Sequence, residues 1–182
     1  MSAERQPAAK FVLFLAQGFG IGRIPFAPGT FGSLLGLVWF AVLLVQANGN
    51  FPAFLFGNLV GVAVSIWLCG AAEKILCQQD PDSVVLDEII AVPICFLGWL
   101  GAEFLHSSRL PTLGQVFRFE NAALLVAGFL AFRFFDIVKP WPVRQSQRLP
   151  GGWGVTIDDL LAASYVNLAW LLFSALQKLM GS

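Results

Sequence analysis

IPFAPGTFGSLLGLVWFAVLLVQANGNFPAFLFGNLVGVAVSIWLCGAA, residues 24–72, runs for 49 positions without one Asp, Glu, Lys or Arg. A soluble domain carries charge on about a quarter of its residues, so this stretch points to lipid. It divides at QANGNFP (46–52), where Asn, Gly and Pro mark a turn. A helix rises 1.5 Å per residue and the hydrocarbon layer is about 30 Å thick, so about 20 residues make one crossing. Residues 31–46 and 52–70 meet or approach that length, and the run predicts two membrane helices.

Working outward, residues 160–177 form another uncharged run, whereas 89–102 and 121–132 hold only 14 and 12 uncharged positions. These two cross only if flanking charges lie at the head groups or turn inward. Pro93 should free a backbone carbonyl and kink the third helix. FVLFLA (11–16) follows Arg5 and Lys10 like a signal peptide, but it is short and meets glycines in place of a small-residue cleavage site. It reads as a helix that is kept. The expectation is an all-α, small polytopic membrane helical bundle of about five main helices plus a short N-terminal helix. Residues 1–182 make a single domain, with 1–9 flexible. The whole chain, 57% hydrophobic and 12% charged, agrees with this.

Eleven Lys and Arg balance eleven Asp and Glu, so there is no basic excess to draw the chain to nucleic acid. Cys69, Cys77 and Cys95 form no CxxC pair, which suggests neither a disulfide framework nor a zinc site. If all five helices cross, the polar segments GRIPFAPGTFGS (22–33), DPDSVVLDE (80–88) and DIVKPWPVRQSQRLPGGWGVTIDD (136–159) gather on one side. That side collects Arg5, Lys10, Arg23, Lys74, Arg133, Lys139, Arg144 and Arg148, against Arg109, Arg118 and Lys178 on the other. The positive-inside rule then places it in the cytoplasm.

Asp87 and Glu88 fall at the start of the third helix, and Asp158 and Asp159 in the first turn of the fifth. Taken singly, each pair is accounted for by the helix macrodipole, and Thr156 with Asp159 has the spacing of a capping box. Taken together, two acidic pairs on one face of a nearly uncharged bundle repel unless a cation neutralises them. Asp136 sits near a helix C-terminus, where the dipole disfavours an anion, and needs a positive partner. Arg133 or Lys139 would serve as a plain ion pair; a shared metal is the alternative. Five carboxylates with no His or Cys among them suit a hard ion such as Mg²⁺.

Lys139 and Arg144 flank two prolines and Trp141, a pattern that fits an interfacial anchor as well as a phosphate grip. Arg23 precedes APGTFGS (27–33), in which Pro28-Gly29 fits a tight turn and Thr30 or Ser33 would cap the first helix. Such a helix start also offers amides to an anion. Acidic ligands, cations and a bilayer together imply a phosphorylated lipid head group attacked by metal-activated water. The lone His106, on the opposite side, argues against histidine phosphatases, and no cysteine nucleophile motif is present.

APGTFGSL (27–34), VVLDEI (84–89), FRFFDIVKPWPVR (132–144) and GGWGVTIDDLLAA (151–163) resemble the signature regions of the phosphatidylglycerophosphatase A family, over about residues 18–165. The resemblance implies a Mg²⁺-dependent, multi-pass enzyme of the bacterial inner membrane, its active site facing the cytoplasm. Its substrate would be phosphatidylglycerophosphate and its product phosphatidylglycerol. Asp87, Glu88, Asp136, Asp158 and Asp159 match the family's acidic positions, as metal ligands and catalytic carboxylates. Pro28, Gly29, Thr30, Lys139 and Arg144 match its other motif positions; Arg23, Gly29, Thr30, Lys139 and Arg144 make the expected substrate-binding set. Where the family usually has Gly after the DE pair, this chain has Ala91 with Pro93. The sequence leaves open which carboxylate is ligand and which is base. It also leaves two other readings: a phosphatase of another phospholipid or prenyl phosphate, or a non-enzymatic cation-binding carrier.

Overall fold

Apolar runs bounded by Pro, Asn and Gly become the long helices, and the polar blocks become their junctions. The computed structural model describes residues 5–180. It begins with α1 (Arg5–Ala16) and a 3₁₀-like turn (Gly18–Arg23), followed by α2 (Pro28–Ala47) and α3 (Phe51–Leu76). Then come α4 (Leu86–Ile94), α5 (Leu97–Ser107), the short α6 (Leu113–Val116), α7 (Phe119–Val138), the short α8 (Val143–Ser146) and α9 (Gly152–Met180). No strand occurs among the described residues. Residues 1–4 lie outside them, while 5–9, expected to be flexible, form the start of α1.

Five segments are long and apolar enough to cross a membrane: Pro28–Ala47, Phe51–Leu76, Leu86–Ser107, Phe119–Val138 and Gly152–Gln177. The protein is a multi-pass membrane protein. The two short uncharged runs reach this length because their helices take charges in: α4 begins before Asp87 and Glu88, and α7 continues past Arg133 and Asp136. All four side chains are largely shielded.

Pro93 breaks the third span rather than merely bending it. Lacking an N–H, it leaves Ile89 without an α-helical donor. The next amides fold back more tightly, Cys95 N to Ala91 and Val92 and Phe96 N to Pro93, before α5 resumes at Leu97. Helix α4 sits centrally, packed on α2, α3 and α9. Gly32 and Gly36, one turn apart on α2, let it approach: a Cβ on them would lie 2.8 Å from Val85 Cβ and 2.7 Å from Val92 Cβ. Below the junctions the core is aromatic, with Phe40 stacked on Phe96 at 5.1 Å and edge-on to Phe54 at 6.0 Å. This packing brings the starts of α2, α4 and α9 and the end of α7 to one end of the bundle.

Candidate active site

The helix starts differ from the caps expected. Helix α2 begins at Pro28, whose fixed φ suits the first helical position, with Ala27 as an N-cap that bears no capping side chain. Neither Thr30 nor Ser33 caps it; the Ser33 hydroxyl donates to the Gly29 carbonyl at 2.8 Å. Helix α9 begins at Gly152, so Thr156 lies inside it and bonds Ser65 of α3 at 2.9 Å. The capping-box reading of Thr156 and Asp159 therefore fails. Asp158 and Asp159 stand beyond the first turn, where the macrodipole offers them little. Only Asp87 and Glu88 occupy the first turn of their helix as expected.

All five carboxylates face one cavity of about 340 Å³, together with Gly29 of α2, Arg133 of α7 and Lys139 just after it. Asp80 and Asp82, in the α3–α4 loop, complete its rim. Of the other expected residues, Arg23 is exposed and donates to Gln17 Oε1 at 2.8 Å, and Arg144 is exposed on α8. Neither of these, nor Thr30, lines the cavity. The sequence reading had not singled out Asp80 and Asp82, although they lie in the same polar block as Asp87 and Glu88.

Within the cavity the carboxylates fall into two groups. Asp136 Oδ2 lies 2.7 Å from Arg133 Nη1, with Lys139 Nζ 3.9 Å from its other oxygen. Lys139 donates to Asp158 Oδ2 at 2.5 Å. These two acids have cationic partners. Asp87, Glu88 and Asp159 instead offer one another oxygens lying within 4.8 Å. Asp87 Oδ1, Glu88 Oε2 and Asp159 Oδ2 are buried with no hydrogen-bond partner. The nearest cation to this group, Arg133, stands 3.9 Å from the other Glu88 oxygen. Buried acceptors left unmade cost about 1–3 kcal/mol each, more when charged. Burial of the Lys139 ammonium alone would lower its pKa, but the Asp158 carboxylate, with Asp136 and Asp159 farther off, holds it above the ordinary lysine value.

Residues 14–174 match the sequence profile of phosphatidylglycerophosphatase A. The chain belongs to the phosphatidylglycerophosphatase A family. It is similar to the phosphatidylglycerophosphatase A of Haemophilus influenzae, at 34% identity over 89% of this chain and 91% of the relative. It is also similar to the phosphatidylglycerophosphatase A of Escherichia coli, at 31% over 81% and 74%. A Bacteroides thetaiotaomicron protein named "Putative phosphatidylinositol-3-phosphatase" is 34% identical over 84% of this chain and 87% of its own length. No solved structure matches the chain. As a member of the phosphatidylglycerophosphatase A family it is a membrane-embedded phosphatase, and the carrier reading is set aside.

The donor set can be tested for a metal on its own terms. Three carboxylates that bring oxygens within 4.8 Å of one another, each with a buried oxygen lacking a hydrogen-bond partner and with no nitrogen or sulfur ligand among them, fit a hard divalent cation better than zinc. Mg²⁺ is compatible with that chemistry.

Proposed function

We propose that the protein hydrolyses the terminal phosphate of phosphatidylglycerophosphate to give phosphatidylglycerol, at the cytoplasmic face of the bacterial inner membrane, with Mg²⁺ as cofactor. The observation that carries this is the division of the carboxylates around one small cavity: Asp87, Glu88 and Asp159 each keep a buried oxygen with no hydrogen-bond partner, while Asp136 and Asp158 are in close contact with cations. Asp87, Glu88 and Asp159 hold the metal. When bound, Mg²⁺ supplies charge to offset the phosphate oxygens and lowers the pKa of bound water.

The protein's own groups do the rest. Lys139, kept charged by Asp158, meets the anionic head group as a point charge. Asp136 and Asp158 supply the acceptor oxygens that orient the attacking water, each held in place by its cation. Gly29 leaves the wall beside Glu88 bare, so that the phosphate can enter. The exposed Trp141 and Trp153 fix this end at the interface, where the head group lies.

The test is phosphate release by purified protein from a panel of phosphorylated lipids in mixed micelles, with Mg²⁺ or with a chelator. Release from phosphatidylglycerophosphate that stops with the chelator is expected. Equal release without divalent ions would remove the cofactor. The Bacteroides relative's name gives a reason to include a phosphoinositide, and preference for that lipid would replace the substrate named here.

A further inference from the structure

Arg133 lines the cavity and has no part in the proposed chemistry beyond its ion pairs. Its guanidinium is engaged through one nitrogen only. Nη1 meets Asp136 Oδ2 at 2.7 Å and donates to Ser33 Oγ at 3.3 Å. Nε is buried and has no partner, and Nη2 makes no hydrogen bond. These two nitrogens form one edge of the planar group, the edge whose spacing matches two oxygens of a phosphate. Gly29 leaves room at the tip of the guanidinium: a Cβ there would sit 3.2 Å from Nη2 and 3.1 Å from Nη1, and would run into Glu88 Oε1. Lys139, by contrast, already spends its short contact on Asp158.

One holder of Arg133 is distant in sequence and the other is a neighbour on its own helix. Ser33 is fully buried, donates to Gly29 O at 2.8 Å and accepts from Arg133, so the guanidinium is tied to the first turns of α2. Asp136, one turn on in α7, fixes the same nitrogen. An arginine anchored by one nitrogen, with the opposite edge unsatisfied, is set to bind a planar pair of oxygens and costs little to reorganise when it does.

We infer that Arg133 binds the substrate's phosphate through its Nε–Nη2 edge, with Ser33 and Asp136 as positioning residues. This rests on the lipid phosphatase reading. The chemistry recognised is a phosphate anion, either the lipid's phosphomonoester or free orthophosphate left as product.

The experiment takes the full-length protein in detergent with Mg²⁺ and compares wild type, Arg133→Lys and an Arg133→Gln/Asp136→Asn double variant. One arm measures binding of radiolabelled orthophosphate by equilibrium dialysis; the other measures KM and kcat on phosphatidylglycerophosphate micelles. Arg133→Lys retains the ion pair with Asp136 but lacks the fork. It is expected to weaken orthophosphate about tenfold or more and to raise KM by a similar factor. The double variant, which removes Arg133 together with its closest partner, should lose orthophosphate binding, and a cooperative melting transition checks that it is folded. Wild-type orthophosphate affinity in both variants overturns the inference, even if KM for the lipid rises, as does absence of saturable binding in the wild type. Orthophosphate held through Arg133 with no release from any phosphorylated lipid would sink the phosphatase reading and leave Arg133 as an anion site.

Discussion

The two ends of the bundle both carry a polar cavity, and they are built in opposite ways. At the far end, about 25 Å away along α2 at 1.5 Å per residue, lies the larger one. It measures about 610 Å³ and is lined by Asn48, Glu103, Ser107, Arg109 and Gln115. Its charges are exposed and its hydrogen bonds are local. Ser107 donates to the Glu103 and Arg109 carbonyls, and Thr112 and Gln115 close a capping box. At the site end the cavity is smaller, the charges other than Asp80 and Asp82 on the rim are largely shielded, and the contacts join distant parts of the chain, Arg133 to Ser33 and Lys139 to Asp158. Solvent screens exposed charge and makes it inexpensive, so the far end needs no ligand. Desolvated, unpartnered carboxylate is costly, so the site end is stable only because the rest of the bundle holds it. On the function proposed above, buried unmet charge rather than cavity volume marks the site.

The sharpest test removes one of the unpartnered acids. Asp159→Asn should lower kcat on the order of 10²–10³-fold, the loss typical when one preorganised electrostatic group is deleted from a site. Its melting temperature tells the same story without catalysis. In metal-free detergent the variant should melt at or above wild type, because one of three converging like charges has gone. Added Mg²⁺ should raise the wild-type melting temperature through linkage and leave the variant nearly unmoved. A variant that melts lower without metal, and is still stabilised by Mg²⁺, would show that Asp159 is structural.

The sequence made part of this comparison readable and hid the rest for identifiable reasons. The five spans followed from uncharged length and helix rise, and the gathering of the acidic blocks at one end followed from counting crossings. Helix starts were misread where packing replaced capping: Gly152 lies so close to Ile66 and Gly70 of α3 that α9 can begin there, four residues before Thr156. The Thr156 hydroxyl is consumed by Ser65 as a result. Arg23 and Arg144 are exposed and outside the cavity lining, and spacing in a loop does not encode which way a side chain points. Arg133 was visible as an ion-pair partner, but its free edge depends on Ser33, 100 positions away.

Gly29→Ala probes the comparison at intermediate size. Alanine is favoured over glycine within a helix by about 1 kcal/mol, so the folded state should not suffer. The added methyl would instead meet the end of the Glu88 side chain and the Arg133 guanidinium. The expected result is a fall of about tenfold in kcat/KM at unchanged or slightly higher melting temperature. Loss of stability with unchanged turnover would place Gly29 in packing alone.

The smallest effect is expected where the larger cavity is. Glu103→Gln and Arg109→Gln alter exposed side chains with no ion pair between them. Ser107 is held by backbone carbonyls of those two residues, which the substitutions leave in place. Surface changes of this type fall within about 0.5 kcal/mol, so melting temperature, KM and kcat should all match wild type. If neutralising Glu103 or Arg109 cut lipid turnover as strongly as Asp159→Asn, exposed and locally satisfied polar groups would be as functional as buried unmet ones. The site would then have to be sought at both ends of the bundle.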